Sequence, residues 1–205
     1  LHPRKAHMMM WVQISPSDDA WVQLELVYSD PDIASMAKRV FELEEAHGFQ
    51  VARRLIDPNM GMASASGRHR EITWEEEFAS CGLRCDLAEN DKQGDGVGID
   101  RVNTHLKPDR RTRDVRIHIH RDRCPTTVEQ MLRYCWADYK KSAEKDQKQQ
   151  TRDKYDDFPT LFRYLLNSNP EFSVLRTGSP IVSRRPANAE ARKKGLVREG
   201  HRRTL

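Results

Sequence analysis

The apolar period of this chain changes once within its first 47 residues, and that change limits what can be built. His7 to Ser15 (HMMMWVQIS) and Trp21 to Ser29 (WVQLELVYS) are β-prone runs joined by the turn-type cluster Pro16, Ser17, Asp18, Asp19 and Ala20. They predict an antiparallel hairpin. In the second run Val22, Leu24 and Leu26 alternate with Gln23, Glu25 and Val27, giving a core face and a wetter face. After Asp30 and Pro31 the spacing becomes helical. Ile33, Met36, Ala37, Val40 and Leu43 mark a helix over 33–47, with Asp32 placed to cap it and Gly48 to stop it.

Shorter elements follow. Gln50 to Ile56 reads as a strand that delivers Asp57 at its end, where Pro58, Asn59 and Gly61 stop it. Asn59 to Arg70 is small and polar and is expected to be a mobile loop. Thr73 caps a helix carrying Trp74 and Phe78 up to Gly82, Arg84 to Leu87 gives a brief strand, and Gly98 to Leu106 a helix. Val115, Ile117 and Ile119 form an edge-like strand, Thr126 or Thr127 caps a helix bearing Val128, Met131, Leu132 and Cys135, and Lys140 to Lys154 is a polar loop. Tyr155 to Leu166 regains helical periodicity through Phe158, Leu161, Phe162 and Leu165. The alternation of strands and helices predicts an α/β fold, a mixed sheet covered by helices.

At 205 residues, with 37% hydrophobic and 32% charged content, the chain suits one domain with a modest core and a heavily charged surface. Its charge is uneven. From Arg176 to Leu205 nine Lys or Arg stand against Glu190 and Glu199, so this stretch carries +7 and the remainder −3 of the net +4. The expected division is a domain over 1–177 and a basic, disordered tail over 178–205. No apolar run is long enough for a membrane span. Cys81, Cys85, Cys124 and Cys135 read as thiols in a reducing setting. The zinc alternative pairs Cys81 and Cys85 with Cys124 or with His118 and His120, two histidines that alternate on a strand. The opening on Leu1, whose first residues read as the exit of a strand, gives the expectation of a fragment or trimmed chain.

Hydrolysis of a phosphodiester by two metals needs carboxylates from separate elements, because hard divalent ions take oxygen ligands and hold both attacking and leaving oxygens. Asp57 at a strand end, and Asp156 with Asp157 at the start of a helix, are the candidates. Taken singly they have ordinary readings: an Asp after a strand caps a turn, and an acidic pair in a first turn serves the helix dipole. His2 and His7 flank Arg4 and Lys5 and are read as structural; Trp11 and Trp21 read as core or cross-strand packing rather than base-stacking platforms.

The opening LHPRKAH, the segment RLIDPNM around Asp57, and YDDFPTLFRYLL from Tyr155 to Leu166 resemble the nuclease half of tailed-phage terminase large subunits. The similarity runs over about residues 1 to 170. It implies a ribonuclease H-like fold in which one acid ends the first strand, a second ends the fourth, and an Asp-Asp pair opens the last helix ahead of Arg-Tyr. Asp57 matches the second acid, and Asp156 and Asp157 the pair, with Arg163 and Tyr164 following. Two departures stand out: the acid expected just before Leu1 is absent, and Pro159, Thr160 and Phe162 replace a more acidic, Ala-rich stretch.

By that resemblance Asp57 and Asp157 ligate Mg2+ or Mn2+, with two ions expected, and Asp156 is a second ligand or an orienter of water. Arg4, Lys5, Arg68 and Arg70 would contact the DNA backbone; their ordinary reading is surface solubility. The implied activity is cleavage of double-stranded viral DNA during packaging in the host cytoplasm, beside an ATPase motor domain, a portal and a small terminase subunit. This chain carries no G-x-x-x-x-G-K-[ST] motor motif. The competing readings are a non-catalytic DNA- or portal-binding module of the same fold, and another ribonuclease H-like enzyme such as a resolvase or integrase core.

Overall fold

The switch from strand to helix periodicity is realised at nearly the expected boundaries. The structure, a computed structural model, describes residues 1, 3, 6–30, 32–64, 72–90, 95–135 and 154–174. Strands β1 (His7–Ile14) and β2 (Ala20–Tyr28) pair antiparallel, from His7 opposite Tyr28 to Ile14 opposite Ala20. The register shifts between Trp11 and Val12, leaving Gln23 as the extra residue of a β-bulge. The bulge lets the hairpin serve two cores. Met9, Trp11, Leu24 and Leu26 pack with one cluster, and Met10, Val12, Ala20 and Val22 with the other.

Helix α1 (Ile33–His47) is capped as its sequence requires. The Asp32 side chain accepts from Ser35 N, and Gly48 takes the left-handed conformation (φ 65°) that glycine tolerates best. Its apolar stripe of Ile33, Met36, Ala37 and Val40 packs on the first core. Near its end the stripe is broken by a charge, Glu44, which accepts from Trp11 Nε1 at 3.1 Å and meets Arg54 Nη2 at 2.5 Å. The side chains of Arg54 and Glu44 are only 8% and 10% exposed.

The strand expected over 50–56 is bonded as β3 only at Leu55–Ile56, where it pairs in parallel with β4 (Asp86–Leu87). On the other side of β3, the Leu1 amine donates to Leu55 O (2.7 Å) and Asp57 N donates to Leu1 O (3.0 Å). That pattern is a parallel bridge centred on Ile56. The loop expected over Asn59–Arg70 opens instead with a short helix, α2 (Pro58–Gly61), and its part over residues 65–70 lies outside the described ones. Helix α3 (Trp74–Ser80) begins with the Thr73–Glu76 capping box.

Helix α4 (Asp95–Leu106) leads to β5 (Ile117–Ile119), which pairs parallel to β2, so the larger sheet is mixed, in the order β1-β2-β5. Helix α5 (Pro125–Arg133) is not capped by Thr126 or Thr127. Glu25 of β2 does this instead, taking Thr126 N, Thr127 N and Thr127 Oγ1, each at 2.7 Å. Helix α6 (Asp157–Asn167) buries Phe158 and Phe162 and packs against β1, α4 and α5. The architecture is the expected α/β one, a mixed sheet flanked by helices. No described helix is long and apolar enough to cross a membrane.

The Glu44–Arg54 pair gives a stability test. Glu44→Ala leaves a buried guanidinium uncompensated and should cost about 3–5 kcal/mol in urea unfolding, whereas Glu44→Leu with Arg54→Met should recover most of it. A single variant as stable as the parent would remove the pair from the account.

Candidate functional site

Asp57 leaves β3 with parallel neighbours on both sides, and carboxyl ends of parallel strands are where α/β sheets gather ligands. Its residue is 3% exposed. Oδ1 accepts from Asn59 N (2.8 Å) and Met60 N (3.0 Å), so the Asp-Pro-Asn-Met sequence caps its own short helix and fixes one carboxylate oxygen. Gly61 closes the turn against Ile56 and Leu87, where an added Cβ would lie 3.0 Å from each side chain. The ordinary reading of Asp57 as a turn cap is therefore realised, and the burial of the cap is the part it does not require.

Burial lowers the Leu1 amine to about 6, with nearby Cys85 and Asp57 pulling it back up. The thiols of Cys85 and Cys124 are pushed up to about 11 by burial, and all four cysteines are free thiols, as their sequence context implies.

Asp156 and Asp157 stand together at the start of α6, as the N-cap and the first helical residue. Asp156 makes no side-chain cap. Gln130 of α5 supplies it: its Oε1 accepts from Phe158 N (2.8 Å) while its Nε2 donates to Asp157 Oδ2 (3.2 Å). One buried amide thus fixes both the helix end and the Asp157 carboxylate. Sequence reasoning missed Gln130, since an amide on an amphipathic helix carries no signal until its partner is known. It also missed Asp86, a buried acid that opens β4 level with Leu55 and pairs with Arg53 at 3.1 Å.

Among the described residues no group of three or more His, Cys, Asp or Glu side chains is placed to hold a metal ion. Asp156 and Asp157 are adjacent, and Asp57 belongs to a different element. Arg4, Lys5, Arg68, Arg70 and His2 lie outside the described residues. His7 is structural: it is buried edge-on against Trp74 (5.2 Å) and Phe78 (5.8 Å). Trp11 is core and Trp21 packs across strands, stacked on His118.

No family model and no curated protein matches the chain. Among solved structures, it is similar to the nuclease domain of g2p, the large terminase of bacteriophage SPP1, in a crystal structure with bound Mn. Identity is 17%, 78% of this chain and 76% of that one are covered, and the TM-score is 0.48.

His7 yields a pH test. Desolvation lowers its pKa from the ordinary 6.5, and among the described residues Nδ1 has no hydrogen-bond partner, so the folded state prefers the neutral ring. Its contribution is complete above pH 6.5 and declines as pH falls below that value, because the unfolded chain takes up the proton first. Urea midpoints at pH 7.5 and 5.5 should therefore diverge more in the parent than in His7→Leu; equal divergence would show that His7 does not contribute.

Proposed function

We propose that the protein is a divalent-metal-dependent endonuclease of the ribonuclease H-like, large-terminase type, cleaving double-stranded viral DNA during genome packaging. The observation that carries this reading is an aspartate, Asp57, buried at the carboxyl end of a parallel strand with one oxygen held by two amides. A turn needs a cap, but an exposed Asn or Ser would serve; a carboxylate oxygen is also the donor that a hard divalent ion takes. The Asp-Asp opening of α6 supports the same reading.

Asp57, Asp156 and Asp157 would hold Mg2+ or Mn2+, with two ions expected; carboxylates are the donors such ions take. Bound ions would supply charge that stabilises the attacking and leaving oxygens of the displacement. Gln130 would keep Asp157 aimed. The register at Leu1 supports a further ligand in a longer chain. An acid just before Leu1 would come level with Leu55, on the same side of the strand as Asp57, with strands about 4.8 Å apart. Arg4, Lys5, Arg68 and Arg70 would meet the phosphate backbone. The proposed setting is host cytoplasm, with a motor domain, portal and small terminase subunit as partners.

Plasmid cleavage with Mn2+ tests this, comparing the chain, a version extended upstream by its preceding residues, and Asp57→Asn in the extended version. Asparagine keeps the cap, so stability should hold to within about 1 kcal/mol, while Asp57→Ala should lose about that amount. Cleavage by Asp57→Asn should fall by about 10²-fold or more, the scale for losing one electrostatic stabiliser. Cutting at the parental rate would remove Asp57 from the mechanism. If the extended version neither cuts nor binds metal, a non-catalytic binding module is the better reading.

A further inference from the structure

Trp21 is 43% exposed although it lies in the middle strand of the larger sheet. It faces His118, its register partner on β5, ring on ring: the centroids are 3.8 Å apart and the planes 13° from parallel. On the other side its register partner is Gln13, whose carboxamide accepts from Gln23 Nε2 at 3.3 Å. The bulge at Gln23 brings this second amide to the same spot. His118 thus covers one face of the ring, and the exposed remainder of Trp21 shares a patch near the hairpin turn with the two amides.

The chain around β5 carries the charge. From Lys107 to Arg123 there are seven Lys or Arg and three Asp, a net +4 in a chain whose whole net charge is +4. All seven basic residues are exposed. Arg116 is tied to the hairpin turn through Asp19 Oδ1 (3.6 Å) and Asp18 O (3.3 Å). Among the described residues none of Lys107, Arg110, Arg111, Arg113, Arg121 and Arg123 forms an ion pair. Asp109 is occupied by its own turn, accepting from Arg111 N and Thr112 N. This run flanks at both ends the strand that carries His118, and Arg116 joins it to the hairpin turn next to Trp21.

We propose that this face binds a nucleic-acid strand with unpaired bases, the backbone lying along the Lys107–Arg123 run and a base stacking on Trp21. Charge complementarity selects a polyanion. The exposed ring selects an unpaired base, because a duplex hides its π-faces within the stack and would use only the cations. Gln13 and Gln23 are placed to meet base edges. The surface is built on β1, β2 and β5, which carry none of Asp57, Asp156 and Asp157, and its binding needs no metal.

The test is fluorescence anisotropy in EDTA, where no cutting can occur, with a labelled thymidine 20-mer and a blunt duplex of equal length. Trp21→Ala should weaken the single strand about tenfold, as for the loss of one stacked base, and leave the duplex unchanged; Trp21→Phe should stay near the parent. Reversing Arg110, Arg111 and Arg113 to Glu should weaken both probes and flatten their salt dependence. Thermal unfolding of each variant checks that the fold is kept. A folded Trp21→Ala that binds the single strand like the parent, or that loses both probes equally, overturns the stacking role. Unchanged binding in the Glu triple variant overturns the surface as a whole. None of these outcomes depends on whether Asp57 is catalytic.

Discussion

A single carboxylate, that of Glu44, sets where the first half of the molecule sits. It stands in the last turns of α1, receives Trp11 from β1, and pairs with Arg54 just ahead of β3. Burying two charges is expensive, and the expense is offset only while both partners keep their positions. Sliding β3 by one residue would turn Arg54 away and leave Glu44 unpaired within the core. The pair therefore fixes the register of the strand whose end, three residues on, is Asp57. The aromatic cluster of His7, Trp74 and Phe78 holds the near end of β1 to α3 by packing alone.

The second half uses the same device with different groups. Glu25 reaches from β2 to the start of α5, and Gln130 reaches from α5 to the start of α6. Each helix end thus has its orphan N–H groups satisfied by a side chain from another element. The acidic pair of α6 is consequently positioned by the hairpin at one remove. The hairpin is the wall common to both halves: one face covers the core of α1, α3 and β3, the other that of α4 and α6. The two halves also meet directly, where Glu89 N, just after β4, donates to Ser168 Oγ at the end of α6.

Charge is distributed by the same partition. Acidic groups with structural or candidate roles, the buried Glu44, Asp57 and Asp86 and the half-buried Glu25, are matched by N–H groups or guanidinium. The cations of the Lys107–Arg123 run stay outside, on turns and an edge. A chain of small net charge can in this way present a local basic surface while a few of its carboxylates are drawn inward.

The local elements were legible in the sequence because their causes are local. Alternation in Val22 to Leu26 made a strand, the stripe from Ile33 to Val40 made a helix, and Asp32, Gly48 and Thr73 with Glu76 closed helix ends within reach of their own turns. The place of Asp57 at a strand end and of Asp156 and Asp157 at a helix start followed in the same way. Tertiary structure alone decided what depends on distant partners. The strand expected from Gln50 is bonded only at Leu55 and Ile56, since β4 offers two residues to pair with. Helix α5 takes its cap from Glu25, about a hundred residues earlier, instead of from its own threonines, and the Asp157 carboxylate is aimed by Gln130. The exposure of Trp21 beside His118 required knowing that β5 lies parallel against β2. Periodicity and caps are written in neighbouring residues, whereas pairing a buried charge or choosing a strand partner is settled only when the folded chain brings the two groups together.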